Sequence, residues 1–249
     1  MYLDALKFLE IVSGGIGIGL VSSVAGIGGG TLMVPFMILI LGIDAKVAIA
    51  SSLLTVIVTS TTSSAVYLKE RLVNLKLALT LEPTTALGAI VGALITISLP
   101  SMTVKKIFGL GLSIISIIML VRTFIRPKEG KEIRNWPFGI ASSFIAGLSS
   151  GMLGIGGGVL KVPIMNLIMD VPIKTAVATS SFMIGFTASS GSIVYILRQL
   201  VDPILVVGFA LGIIPGATIG AKTLKRIKSK YIKVLFSMIL LYAGLRLLL

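Results

Sequence analysis

The chain has 249 residues, of which 55% are hydrophobic and 12% charged, with mean hydropathy +1.08 and a formal net charge of +13. Water-soluble domains carry about 25% charged residues, so this composition excludes one and predicts an integral membrane protein with several spans of roughly 20 apolar residues. Cysteine and histidine are both absent, which excludes disulfides, thiol chemistry, the commonest metal ligand and the usual general base.

No cofactor or metal is expected, and an intramembrane enzyme is not expected either, because it would need a nucleophile–base pair or a metal cluster. The basic excess fits the Lys and Arg of cytoplasmic loops better than a nucleic-acid partner. At the start, Met1-Tyr2-Leu3-Asp4 shows no basic stretch or small-residue cleavage site, so a cleaved signal peptide is not expected.

In chain order, apolar segments run over about 8–43, 45–68, 73–99 and 104–124, then 136–169, 173–197, 201–221 and 231–249. Between the two groups lies the one sustained polar stretch, 125–135, with Arg126, Lys128, Glu129, Lys131, Glu132 and Arg134. The division is therefore a first repeat over 1–124, a basic linker over 125–135 and a second repeat over 136–249. A shift of 128 residues aligns the repeats without a gap: 26–68 against 154–196 gives 19 identities in 43 positions, far above chance.

The first segment of each repeat is too long for one straight span. Residues 8–43 would make a helix of about 54 Å at 1.5 Å per residue, against a hydrocarbon core of about 30 Å. Each such segment carries the same break, Gly26-Ile27-Gly28-Gly29-Gly30 followed by Val34-Pro35, and Gly154-Ile155-Gly156-Gly157-Gly158 followed by Val162-Pro163.

Counting basic residues separates two topologies. If each long segment crosses once, the 22 Lys and Arg divide 11 to 11 between the two sides. If each returns to the side it came from, the repeats are inverted and the division is 6 to 16, with the linker and the 222–233 loop on the richer side. The positive-inside rule favours the skewed division, with both termini outside. The predicted fold is an all-α polytopic membrane protein of two inverted four-segment repeats, each with a broken or re-entrant Gly-rich first segment.

Interrupted backbone at membrane depth is tolerated where it is buried in protein or lines a polar cavity, and paired interruptions point to a transporter's binding site. A helix starting after the glycines presents unpaired N–H groups to an anion. The substrate-binding candidates are therefore Gly28, Gly29, Gly30 and Thr31 with Gly156, Gly157 and Gly158. The hydroxyls of Ser51 and Ser52, and of Thr179, Ser180 and Ser181, occupy equivalent places early in the second segments; they donate either to an anion or between helices. The hydroxyl runs 59–64 and 187–192 read as helix back-bonding. Gly15/Gly19, Gly88/Gly92 and Gly216/Gly220 read as close helix packing. Two ionisable residues lie within spans and have no counterpart in the other repeat: Lys161, opposite Met33, as a positive charge for the site, and Glu82, opposite Ala210, as a coupling candidate. Snorkelling to an interface is the alternative for Lys161.

The duplicated glycine motif, together with Ala48-Ile49-Ala50-Ser51-Ser52-Leu53 and Ala176-Val177-Ala178-Thr179-Ser180-Ser181, resembles the TauE/SafE family of sulfite and sulfonate permeases over nearly the whole chain. The resemblance implies a multi-pass plasma-membrane carrier of sulfur-containing anions such as sulfite or sulfoacetate. Its partners would be the small anion, a coupling proton or Na+, and the lipid bilayer. A passive anion channel, or a carrier of another small organic anion, is the alternative reading.

Overall fold

The structure, a computed structural model, describes residues 5–25, 28–124, 133–223 and 230–249. Gly26 and Ile27 of the first glycine motif, the linker over 125–132 and the 224–229 part of the last basic loop lie outside the described residues.

The described residues are all helical or loop. Residues before the linker form α1 (Ala5–Ala25), α2 (Gly30–Leu39), α3 (Ala45–Lys69), α4 (Leu75–Ser98) and α5 (Ser101–Phe124). Those after it form α6 (Trp136–Leu153), α7 (Gly158–Pro163), α8 (Ile173–Leu197), α9 (Pro203–Thr223) and α10 (Lys230–Leu248). Five of these, α3, α4, α8, α9 and the Ser101–Ile118 part of α5, are long and apolar enough to cross a membrane. The molecule is an all-α polytopic membrane protein.

Local sequence sets the boundaries. Asp44 accepts from the Lys46 N–H at 2.9 Å to start α3, and Asn74 accepts from the Leu77 N–H at 3.0 Å to start α4, as N-cap side chains do. At the end of α7, Pro163 brings no N–H to the helix ladder. The chain continues there in a π-helical turn over Ile164–Ile168, held by Asn166 donating to the Val171 carbonyl at 2.8 Å.

Helices of one repeat pack mainly against helices of the other. Parallel α1 and α9 meet at backbone distance: a Cβ on Gly15 would stand 2.9 Å from the Phe209 carbonyl, and Gly212, Gly216 and Gly220 lie on the carbonyls of Val12, Ile16 and Leu20. The α4–α6 pair repeats the arrangement, with Gly88 and Gly92 on the carbonyls of Phe144 and Leu148. Small residues spaced by four let membrane helices approach this closely, which is the packing expected of those glycines.

At the centre α3 and α8 run antiparallel. Ser60 donates to the Ser181 carbonyl at 2.5 Å, while Gly191 faces Leu53. Likewise α5 and α10 run antiparallel, with Ser116 donating to the Ser237 carbonyl at 2.5 Å. Large apolar residues on the outer helices, such as Leu79 at 66% and Leu87 at 60% exposure, form a surface suited to lipid rather than water.

Candidate functional site

Both glycine motifs interrupt the helix where they stand. In the first, α1 ends at Ala25 and α2 begins at Gly30, with Gly28 at φ 81° and Gly29 at φ 80°. In the second, Gly154, Gly156 and Gly157 have φ of 67°, 74° and 73°. L side chains avoid this half of conformational space, so glycine is the residue that makes each break. Beyond its break, α2 runs back along α1: Gly29 lies beside Ser22, and Phe36 lies on Gly14. In the second copy the Arg134 N–H donates to the Met169 carbonyl at 3.3 Å and Asn135 Nδ2 to the Ile168 carbonyl at 3.0 Å. The end of that broken segment is thereby tied to its beginning.

The two motifs meet. Gly30 rests on the Gly154 carbonyl and on Ile155, so a Cβ there would overlap the Gly154 oxygen. Gly28 and Gly156 both pack on the Ile184 side chain. No side chain caps the N-terminus that starts at Gly30 or the one that starts at Gly158. Among the described residues, the hydroxyl of fully buried Thr31, next to the first, has no hydrogen-bond partner; next to the second, the same is true of Ser150, which touches Gly157. A buried hydroxyl without a partner is unfavourable, and two of them flank these helix ends. A cleft of about 380 Å³ lies between α3 and α8, lined in part by Ser60, Ser64, Gly185 and Ser189.

Ser51, Ser52 and Thr179, all nominated by sequence, have structural partners. Ser52 donates to the Gly154 carbonyl at 2.7 Å, Tyr195 to that of Gly151 at 2.6 Å, and Thr96 to that of Met152 at 3.3 Å. Side chains from α3, α4 and α8 thus satisfy carbonyls that the end of α6 leaves open. Tyr67 does the same for Ser23 at 2.7 Å. Ser51 accepts from the Asp202 N–H and Thr179 from the Asn74 N–H, both at 3.0 Å, anchoring the starts of α9 and α4. Ser180 and Ser181 are buried in α8. Val66-Tyr67 recurs as Val194-Tyr195 at the 128-residue offset; the carbonyl targets of the two tyrosines are set by tertiary packing.

Lys161 and Glu82 are brought together. Lys161, 2% exposed, does not snorkel. Its ammonium lies 3.4 Å from Glu82 Oε2 and also donates to the Thr187 hydroxyl, which in turn donates to Glu82 Oε1 at 2.5 Å. The corresponding place in the first repeat is uncharged. There Met33 and Thr59 flank Gly29, at 3.3 and 3.4 Å from the position of a Cβ.

Residues 11–247 match the profile of the family described as Sulfite exporter TauE/SafE. The chain belongs to the TauE/SafE family. This TauE/SafE chain is 30% identical over 270 residues to the probable membrane transporter protein YunE of Bacillus subtilis, covering 97% of both chains. It is also 30% identical over 263 residues to a probable membrane transporter protein of Methanocaldococcus jannaschii, covering 100% of this chain and 97% of the relative. A shorter match, 44% over 57 residues, covers 23% of this chain and 12% of the Sulfite exporter TauE/SafE family protein 5 of Arabidopsis thaliana. No solved structure matches the chain. Family membership makes it a membrane transporter rather than an enzyme.

Proposed function

We propose that this chain is a secondary transporter of small sulfur-containing anions, sulfite and sulfonates such as sulfoacetate, across the plasma membrane. The anion is held near the midplane between the paired glycine-led helix N-termini at Gly28, Gly29, Gly30 and Thr31 and at Gly156, Gly157 and Gly158. The observation that carries this reading is the meeting of the two glycine motifs, each followed by an uncapped helix start with a buried, unpartnered hydroxyl beside it. Such ends attract negative charge and donate through backbone N–H groups, and two half-helices converging on one point are the usual seat of an anionic substrate in broken-helix transporters.

The same reading has repeats 1–124 and 136–249 inverted about the linker 125–135, with α1–α2 and α6–α7 as re-entrant hairpins and both termini outside. Supporting it are the antiparallel α3–α8 and α5–α10 pairs and the 6-to-16 division of basic residues. Alternating access then follows from rocking one repeat against the other.

Flux into proteoliposomes containing this protein alone tests the substrate. Sulfite, sulfoacetate and isethionate are expected to be taken up and acetate and succinate to be refused; uptake of the carboxylates alone sinks the proposal. Flux that never accumulates against a gradient identifies a channel. Because the chain has no cysteine, single cysteines placed at Leu249 and Arg71 report sidedness directly. Labelling of the first from outside and of the second from inside is expected, and the reverse pattern refutes the topology.

A further inference from the structure

Lys161, Glu82 and Thr187 stand on three different helices, α7, α4 and α8. The cation rides on the glycine-led helix, and the acid rides on a long span. The pair is enclosed: the Lys161 side chain is 1% and the Glu82 side chain 12% exposed.

The groups that face Glu82 are few. Of the elements packed against α4, helix α6 carries no Asp, Glu, Lys, Arg or His. Helix α8 carries Lys174, exposed at its start, and Tyr195, which donates to the Gly151 carbonyl. Helix α7 carries Lys161 alone. Among the described residues, Lys161 is the charged group that faces Glu82.

As built, the cluster is neutral. An anion that took Lys161 as its partner would leave it with a net negative charge if Glu82 stayed ionised, and an uncompensated buried charge is strongly unfavourable. A proton on Glu82 restores neutrality. Thr187 suits both states, because a hydroxyl donates to a carboxylate and accepts from a carboxylic acid.

We propose that the Lys161–Glu82 pair is the coupling site of the transporter: an incoming anion replaces the Glu82 carboxylate on the Lys161 ammonium, and the displaced Glu82 binds a proton. The proton comes from water on the side where the anion binds and bonds to a Glu82 carboxylate oxygen. It returns to water when the anion leaves and the pair re-forms; no electrons move. A monovalent anion therefore travels with one proton and no net charge. The anion in this scheme rests on the transporter reading above, whereas the proton site does not.

Two measurements test it. The first needs no ligand and uses infrared difference spectra of the purified full chain at neutral pH. The carboxylic-acid carbonyl band of Glu82 is expected to be absent in the wild type, present in Lys161→Met and lost again in Lys161→Met/Glu82→Gln. Lys161→Gln serves the same comparison if Lys161→Met does not accumulate. A wild-type band removed by Glu82→Gln, or no band in the lysine variants, overturns the proposal.

The second follows isethionate and sulfite in proteoliposomes. Isethionate stays ionised, so it carries no proton of its own. Its apparent affinity is expected to rise about tenfold for each unit fall in pH while Glu82 is ionised in the empty protein. Each isethionate should bring in one proton, without response to an imposed potassium diffusion potential. Glu82→Gln should move isethionate only down its own gradient and without protons. Proton-free isethionate flux in the wild type, or proton uptake persisting in Glu82→Gln, overturns the coupling site and leaves the transporter reading standing. Flux of neither anion overturns the transporter reading, and the infrared comparison then decides the proton site by itself.

Discussion

The two glycine-broken segments share a motif and part company within the three residues after it. In the first, Gly30 is followed by Thr31, Leu32 and Met33; in the second, Gly158 is followed by Val159, Leu160 and Lys161. Where Met33 and Thr59 flank Gly29, the second copy has a buried cation, an acid from α4 and the same threonine, Thr187. Where the second has Val159, the first has a buried hydroxyl with no partner. The shared glycines make the break, and the unshared residues give each break its own chemistry. Symmetry of backbone thus coexists with asymmetry of charge.

The largest test of that contrast converts the second half to the first. Lys161→Met alone strands an acid and is expected to cost about 3–5 kcal/mol of stability, read as a fall in the thermal unfolding midpoint. Lys161→Met/Glu82→Ala copies Met33 and Ala210 and is expected to recover most of that loss. A double variant as unstable as the single one would break the comparison.

Next comes the contact between motifs. Gly30→Ala forces a methyl onto the Gly154 oxygen and should destabilise by about 1–3 kcal/mol. Gly17→Ala, which meets nothing within 4 Å, should cause no loss. Equal effects would mean that the two motifs do not bear on each other.

A smaller effect probes what the halves have in common. Tyr67→Phe and Tyr195→Phe each remove a donor from a helix-end carbonyl, and each should cost about 1–2 kcal/mol. A large inequality would show that one break alone depends on its tyrosine. The smallest change in stability is expected from Thr31→Val, which gives the first motif the residue type of the second. Loss of an unpartnered hydroxyl should shift stability by less than about 1 kcal/mol, while weakening anion uptake. Unchanged uptake would remove Thr31 from the binding site.

Much of the architecture was legible in the sequence because it rests on local rules. Composition marked the membrane, and the runs of glycine marked the helix breaks. The packing role of Gly88/Gly92 and Gly216/Gly220 followed from spacing alone. What the sequence left open were contacts set by tertiary placement. Ser52 was equally suited to an anion or a carbonyl until the Gly154 oxygen was found beside it. Lys161 was equally suited to an interface or an interior until Glu82 and Thr187 appeared on two other helices. Tyr67 and Tyr195 were visible as a repeat, yet their targets lie 44 residues back along the chain, beyond the reach of any periodic pattern.

The pairing of α1 with α9 and of α4 with α6 has a consequence for how the molecule is made. The glycine face of α1 leaves the ribosome almost 200 residues before the α9 backbone that covers it. During that interval the shallow face left by Gly15 and Gly19 lacks the α9 helix that fills it. A chain that stopped before α9 would keep that face uncovered, so the close packing of α1 waits on the second half of the sequence.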